Sequence, residues 1–429
     1  DRPWDIIVYG ATGFTGKEVC RYLRDEGQDM RWAIAGRSES KLTALIEELR
    51  LSEDIATFIA SADDHCSLLA TFSQGTLLLN CTGPYRFLGE PVVKACIESR
   101  THYMDICGEP QFMENMFLKY HAVAAEAGVL VLHACAFDSV PADLGVLFCM
   151  RKFKELHEDT HEVYSIESYL SIHSGPSGIA AHYTTFECAV HGMADVNSLR
   201  RIRREINEKY DPPTLNTPEP RLRRKNGIEF DERFDKYVMP FMGADASVVK
   251  SSFRSLSLET GVRKFPHYAA YAVVGDWGNM LTTAIVGGVV TSLAPYSFGR
   301  SVLLQYPEIF TYGIFSHDGP SREQLEETSF TMDFFVTGRG GDSDNESTRS
   351  DKIMRVAVSG PEPGYVATPR IFITLARVLL KEYGKELSGG CSMPRGGVFT
   401  PSTAYYFSPN VYDSLAAAGI KFEVCSHAT

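Results

Sequence analysis

The chain has 429 residues, room for two domains of ordinary size. It is 44% hydrophobic and 22% charged, as expected of a folded globular protein, and its net charge of −12 argues against a general nucleic-acid role. Ten scattered cysteines without a Cys-x-x-Cys pair fit a reducing, cytoplasmic setting rather than a disulfide framework, and no secretory leader is expected before the first strand.

The first third alternates strand and helix. WDIIVYG reads as a short apolar strand and GKEVCRYLRDE as the helix that follows. RWAIAGR is a second strand. SESKLTALIEELRL then sets Leu42, Leu45, Ile46 and Leu49 on one helical face. TLLLNCTG is a buried strand, and EPVVKACIES a helix with Pro91 at its first position. HYMDICG is a strand. Residues 111–127 form a helix with Phe112, Met113, Met116, Phe117 and Tyr120 inward, stopped by Gly128, and VLVLHAC is the next strand. Apolar strands separated by helices mean an α/β fold with a doubly wound parallel sheet of Rossmann type over 1–147. Ligands bind such sheets beyond the carboxyl ends of the strands.

Beyond residue 147 the pattern changes. EVYSIESYLSIHSG, SFTMDFFVTG and KIMRVAVSG alternate as half-exposed strands do, and the last two flank RGGDSDNESTRS, a hairpin tip. A second, α+β domain on a largely antiparallel or mixed sheet is expected over 148–365, with 211–227 as a polar loop. Residues 366–429 should supply helices and a strand that pack back on the first domain, including a helix after Pro369. Residues 277–299 carry no charge but are diluted by Asn279, hydroxyl residues, glycines and Pro295. A buried helix is the first expectation there; a lipid-facing segment and a bilayer span are the alternatives. The runs RRIRRE and RLRRK read first as solvated faces, with attraction to acidic lipid headgroups as the alternative.

The glycine turn carries the functional signal. In YGATGFTG, Gly10, Gly13 and Gly16 follow a strand and open a helix, where backbone N–H groups and the helix dipole suit a pyrophosphate. The cofactor contacts expected here are Gly10, Ala11, Thr12, Gly13, Phe14, Thr15 and Gly16. A ligand-free turn is the alternative. The second strand ends in AGRSESKL, without the carboxylate directly at the turn that would hold an NAD ribose. Arg37, Ser38 and Lys41 instead suit a 2′-phosphate, so NADP(H) is expected. Otherwise Arg37 is a solvated residue and Ser38 only a helix cap. Thr82, Gly83, Pro84 and Tyr85 should lie along the ribose and nicotinamide. No His/Cys/carboxylate cluster has metal-ligand spacing, so no metal is expected.

Taken together, YGATGFTG, TGPYRFLGEPVVKACIE, DICGEPQF, FDSVPADLG, IHSGPSG, MPFMGADASVV and GGVFTPS resemble the saccharopine dehydrogenase-like oxidoreductases over nearly the whole chain. The resemblance implies a Rossmann domain, an α+β domain with a mixed sheet, and a nicotinamide cofactor on Gly10, Gly13 and Gly16. Its bacterial branch includes trans-acting enoyl reductases of long acyl chains, and its animal members resemble lipid-droplet or membrane-associated proteins. The arginines that hold a dicarboxylic amino acid in true saccharopine reductases have no counterpart motif here.

No Tyr stands four residues before a Lys, so the proton donor of short-chain dehydrogenases is missing. Tyr85, Asp105, Asp138 and His173 are the candidate catalytic residues, each at a strand end. Capping or packing is the plainer role of each, and Glu109 is read as a cap for the helix after it. The function expected is NADP(H)-dependent hydride transfer to or from an apolar, lipid-like substrate, by enoyl or carbonyl reduction. The alternatives are an amino-acid or imine dehydrogenase, whose arginines could come only from 200–204 and 221–225, and a catalytically silent NADP-binding scaffold on a lipid surface. Expected partners are the substrate, a membrane or lipid-droplet surface and a second copy of the chain, with no nucleic acid.

Overall fold

A computed structural model of the chain describes residues 2–52, 54–157, 161–194, 196–211, 215–218, 221–340, 350–387 and 391–427. The expected hairpin tip, and parts of the 211–227 loop, fall outside these residues.

Two compact units divide the chain. The first comprises residues 1–138, 195–210 and 363–419. Its elements begin with β1 (Trp4–Tyr9), α1 (Phe14–Glu26), β2 (Trp32–Gly36), α2 (Glu39–Leu49) and β3 (Thr57–Ile59). They continue with α3 (His65–Phe72), β4 (Gly75–Asn80), α4 (Tyr85–Glu98), β5 (His102–Asp105), α5 (Pro110–Ala127) and β6 (Leu130–Leu132). The sheet order is β3-β2-β1-β4-β5-β6, closed by a seventh strand, Gly397–Phe399, and every pairing is parallel. This is the doubly wound Rossmann order, with its switch point between β1 and β4. Ile6, Ile7 and Val8 of β1 are fully buried because helices cover both faces of the sheet.

Three details depart from the expectation. β3 and Gly397–Phe399 have only three residues each, too few for a periodic signal, and tertiary pairing alone makes them strands. α4 begins at Tyr85, so Pro91 sits inside it rather than at its start. Helix Val196–Tyr210, which carries the RRIRRE run, belongs to the first unit. Ile202 and Ile206 are buried as it packs on α5, and Arg203 makes a two-pronged ion pair with the buried Glu114 at 2.7–3.0 Å.

The second unit comprises residues 139–194, 211–362 and 420–429. Its division from the first falls at 138/139 rather than 147/148, because helix Val140–His157 packs on the second sheet's strands. That sheet is mixed. Strand His161–His173 lies at its centre, antiparallel to Ser329–Gly340 and parallel to His267–Gly275. Ser350–Pro361 and Lys421–His427 extend one side, and Lys236–Pro240 and Glu229–Asp231 the other. The final strand, Lys421–His427, thus joins this sheet, while Gly397–Phe399 of the same C-terminal segment joins the first.

The uncharged stretch 277–299 also contradicts its first expectation. It forms helix Trp277–Leu293, of which only Val290 is buried. Apolar composition does not choose between a core and an exposed face; packing does. No helix among the described residues is long and apolar enough to cross a membrane.

Candidate functional site

The glycine turn between β1 and α1 is shaped by close backbone approach. Gly10 has φ +81°, a conformation that favours glycine, and a Cβ there would lie 2.6 Å from Thr82 Cγ2. A Cβ on Gly16 would lie 2.2 Å from the Gly10 carbonyl oxygen. α1 has no side-chain cap and no acidic residue in its first turn. Its opening amides are therefore not covered by a carboxylate, as a bound pyrophosphate requires.

β2 ends beside this turn, and a Cβ on Gly36 would lie 4.0 Å from Thr12 Oγ1. Arg37, the next residue, is exposed and makes no hydrogen bond or ion pair among the described residues. Its charge reaches Tyr9 at the end of β1: burial pushes that phenol up to about 12, and the nearby guanidinium pulls against the rise. Ser38 caps α2 by accepting from the Lys41 amide at 3.4 Å, so the capping role is real. Lys41 itself is exposed on the same turn. A glycine cradle with an uncommitted guanidinium beside it fits a dinucleotide carrying a 2′-phosphate.

The third wall is the loop after β4. The Cys81 amide donates to the Tyr9 carbonyl at 2.8 Å. Asn80 Oδ1 accepts from both the amide and the hydroxyl of Thr82. Asn80 Nδ2 donates to Tyr103, which donates to Asp105 Oδ2 at 2.9 Å. His133 Nδ1 donates to the same oxygen at 2.6 Å, since an aspartate in this setting can only accept. The amides of Cys107 and Ala134 take Asp105 Oδ1 at 3.1 and 3.0 Å. A buried chain of hydrogen bonds thus crosses the carboxyl ends of β6, β5 and β4 and ends on the loop facing Gly10.

This network engages two of the four catalytic candidates. Asp105 is fully buried and accepts four hydrogen bonds, which tie together the loops after β5 and β6. Tyr85 is buried too; its hydroxyl donates to the Asn80 carbonyl at 2.8 Å, and burial raises its pKa far above the ordinary phenol. The Tyr85 ring packs beside Phe112, with ring centroids 5.8 Å apart. Glu109 caps α4, not the helix after it: its carboxylate accepts from the Tyr85 amide at 2.8 Å and from Arg86 Nε at 2.6 Å.

Asp138 differs. It is exposed, makes no hydrogen bond or ion pair among the described residues, and its Oδ2 lies 3.0 Å from where a Gly108 Cβ would sit. It is reachable by solvent yet crowded by protein, and that crowding raises its carboxyl pKa. The residue after it, Ser139, is held at φ +153°, a strained value for a side-chain-bearing residue. His173 belongs to the second unit, where it is exposed and pairs with Thr331 at 3.3 Å.

Comparison with known proteins matches this geometry. Residues 6–132 match the family described as the saccharopine dehydrogenase NADP binding domain. The chain is 38% identical over 439 residues to a saccharopine dehydrogenase-like oxidoreductase of Rattus norvegicus, covering 99% of this chain and 98% of that one. The chain belongs to the saccharopine dehydrogenase-like oxidoreductases. It is an oxidoreductase with an NADP-binding domain. Among other members of the family, it is 33% identical to a lipid droplet localized protein of Caenorhabditis elegans, over 98% of each chain. It is 29% identical to a protein of Mycobacterium tuberculosis that bears the name putative trans-acting enoyl reductase, over 98% of this chain and 97% of that one.

In this oxidoreductase the residues that sequence reasoning missed are Asn80, Tyr103, His133 and Arg86. They are buried or nearly so, and their partners come from other strands, so no local spacing announces them. The one available signal is polarity within apolar strands: Asn80 interrupts TLLLN, and His133 interrupts VLVLH.

Proposed function

We propose that the enzyme reduces an apolar, lipid-like substrate at an enoyl or carbonyl double bond, working in contact with a lipid surface and with Asp138 as proton donor. The observation that carries this reading is Asp138: it alone of the four candidates is accessible, unengaged and raised in pKa. The relative named an enoyl reductase supports the reaction class, and the relative named lipid droplet localized supports the lipid surface. The amino-acid alternative loses support because two of its arginine sources, Arg203 and Arg224, are held elsewhere. Arg203 is held by Glu114. Arg224 donates to the Tyr268 carbonyl at 3.3 Å, and Lys225 reaches Asp231 and the Tyr169 hydroxyl at 3.3 and 3.2 Å.

We assign the roles accordingly. The opening amides of α1 hold a pyrophosphate, and Gly10 and Gly16 let it approach. Arg37 with Lys41 receives the 2′-phosphate, and the Thr82–Gly83 loop, set by Asn80, flanks the nicotinamide half. NADPH supplies the hydride when bound. Asp138 then delivers its proton to the substrate atom that gains the displaced electron pair, the α-carbon of an enoyl group or the oxygen of a carbonyl. The reaction thus needs Asp138 protonated, and the rate falls as pH rises through its raised pKa.

Titration with NADPH and NADH, followed by NADPH oxidation with long-chain enoyl thioesters and enals, tests this. Arg37→Asp should weaken NADPH about tenfold or more and spare NADH. Asp138→Asn should keep NADPH affinity and lose about a hundredfold in turnover. Full turnover in Asp138→Asn, or turnover only with amino-acid imines, overturns the proposal.

A further inference from the structure

The helix Trp277–Leu293 has two faces that the mechanism does not use. Val286, Val290 and Leu293 turn inward and pack with Phe186, Val190 and Leu303. Trp277, Leu281, Ile285 and Val289 follow one another four residues apart, which places them in a single row along the helix. That row is 63%, 43%, 52% and 39% exposed. Phe298, in the next helix Ser297–Gln305, is 79% exposed, and Tyr296 just before it is also exposed. We infer that this ridge is a docking surface on which the second unit lies flat against a phospholipid layer. The inference rests on the lipid-contact part of the reading above.

Three observations point to lipid as the occupant. First, the ridge has no charge to offer. No residue from 277 to 299 is ionisable to a charge near neutrality. The two charges that bracket it are spent on helix ends: Asp276 Oδ1 accepts from the Asn279 amide at 2.9 Å, and Arg300 Nη1 donates to the Ala294 and Pro295 carbonyls at 3.0 and 3.1 Å. Attraction to an acidic partner or an acidic headgroup therefore has no source here.

Second, three of the four hydroxyls of this helix are already satisfied within it. Thr282 donates to the Gly278 carbonyl at 3.1 Å, Thr291 to Gly287 at 2.6 Å and Ser292 to Gly288 at 2.7 Å. A protein partner draws on roughly one hydrogen bond per 100–200 Å² of interface. These three donors are turned onto the helix backbone, as a hydrocarbon environment favours.

Third, the dimensions suit lying and not crossing. Seventeen residues rise about 25 Å, short of a hydrocarbon core of about 30 Å. Aromatic rings stand at both ends, Trp277 at the start and Tyr296 and Phe298 beyond the finish, where an interfacial helix places them. The occupant is therefore the interfacial zone of a zwitterionic phospholipid layer, entered to the depth of the row.

Flotation of the full chain with phosphatidylcholine vesicles, with and without phosphatidylserine and at low and high salt, tests the inference. The unmodified chain should float with phosphatidylcholine alone, and salt should not release it. Ile285→Glu combined with Phe298→Glu should lower the vesicle-bound fraction about tenfold or more. Trp277→Ser, a milder change, should lower it in the same direction. NADPH affinity, read on the same samples, should stay within about twofold, so loss of folding or of the redox reading registers separately from loss of docking. A chain that stays behind with phosphatidylcholine overturns the inference. So does binding that requires phosphatidylserine and is lost in salt, or a double variant that breaks a dimer while floating normally.

Discussion

The glycine turn of the first unit and the helix ridge of the second unit break the usual distribution of residues in opposite directions. The first unit buries polar side chains. Asn80, Asp105, His102 and His133 are all inside, and all but one nitrogen among the atoms described above has a partner. The second unit exposes apolar side chains, Trp277, Leu281, Ile285 and Phe298, with nothing of the same unit over them. Each exception has a cost if left alone: an unpartnered buried donor costs about 1–3 kcal/mol, and exposed apolar area forfeits about 25 cal/mol/Å². The contrast teaches where to look for function. Buried polarity organises a site for a polar cofactor, and exposed apolarity marks a surface for an apolar partner.

The largest effect should come from the first exception. Gly16→Val puts side-chain atoms where even a Cβ stands 2.2 Å from the Gly10 carbonyl oxygen and 3.0 Å from Ala11 Cα. Both neighbours are backbone, so the turn itself must move. NADPH affinity should fall beyond about a hundredfold, measured by quenching of nicotinamide fluorescence, while the second sheet keeps its strands. Retained affinity would mean that the turn does not hold the pyrophosphate.

A smaller effect follows from His102. It is buried, and its Nδ1 accepts from the Leu130 amide at 3.1 Å. Burial, helped by the Arg2 charge, lowers its pKa to about 4. The folded state therefore keeps His102 neutral where the unfolded chain, with a pKa near 6.5, takes a proton. Stability is complete above that unfolded value and declines as pH falls from about 6.5 through 4. Its size is on the order of 3 kcal/mol at most. Denaturant titrations at successive pH values should follow this slope, and His102→Gln should flatten it. An unchanged slope in that variant would place the acid sensitivity elsewhere.

How much of this was legible in the sequence depended on how local the cause was. The glycine turn is a constraint among residues 10–16 and shows in their order. Leu42, Leu45 and Leu49 are buried on α2 as their spacing demands, and Gly128 ends α5 in the left-handed conformation. β3 and strand Gly397–Phe399 had no local cause and were invisible. Tyr85 and Asp105 looked like proton donors because a hydroxyl and a carboxylate at strand ends are chemically able. Only the arrival of Glu109, Asn80 and His133 from other elements shows that both are engaged. For 277–299 the hydropathy was read correctly but its side was not, because Phe186 and Val190, which pack against the inward row, lie far away in the chain.

The smallest predicted effect tests that choice of side within one helix. Val290→Ala removes two methyl groups packed between Phe186, Val190 and Leu303, and should cost about 2 kcal/mol in urea unfolding. Leu281→Gln, about two and a half turns away in the outer row, exchanges one good helix former for another on a surface that meets water in the free protein. It should change stability by less than about 0.5 kcal/mol. Phospholipid vesicles should reverse the ranking: the outer substitution now forfeits a contact, and the inner one does not. Equal costs for the two in water would mean that Leu281 is covered in solution by something other than lipid, and the two rows would lose their separate meanings.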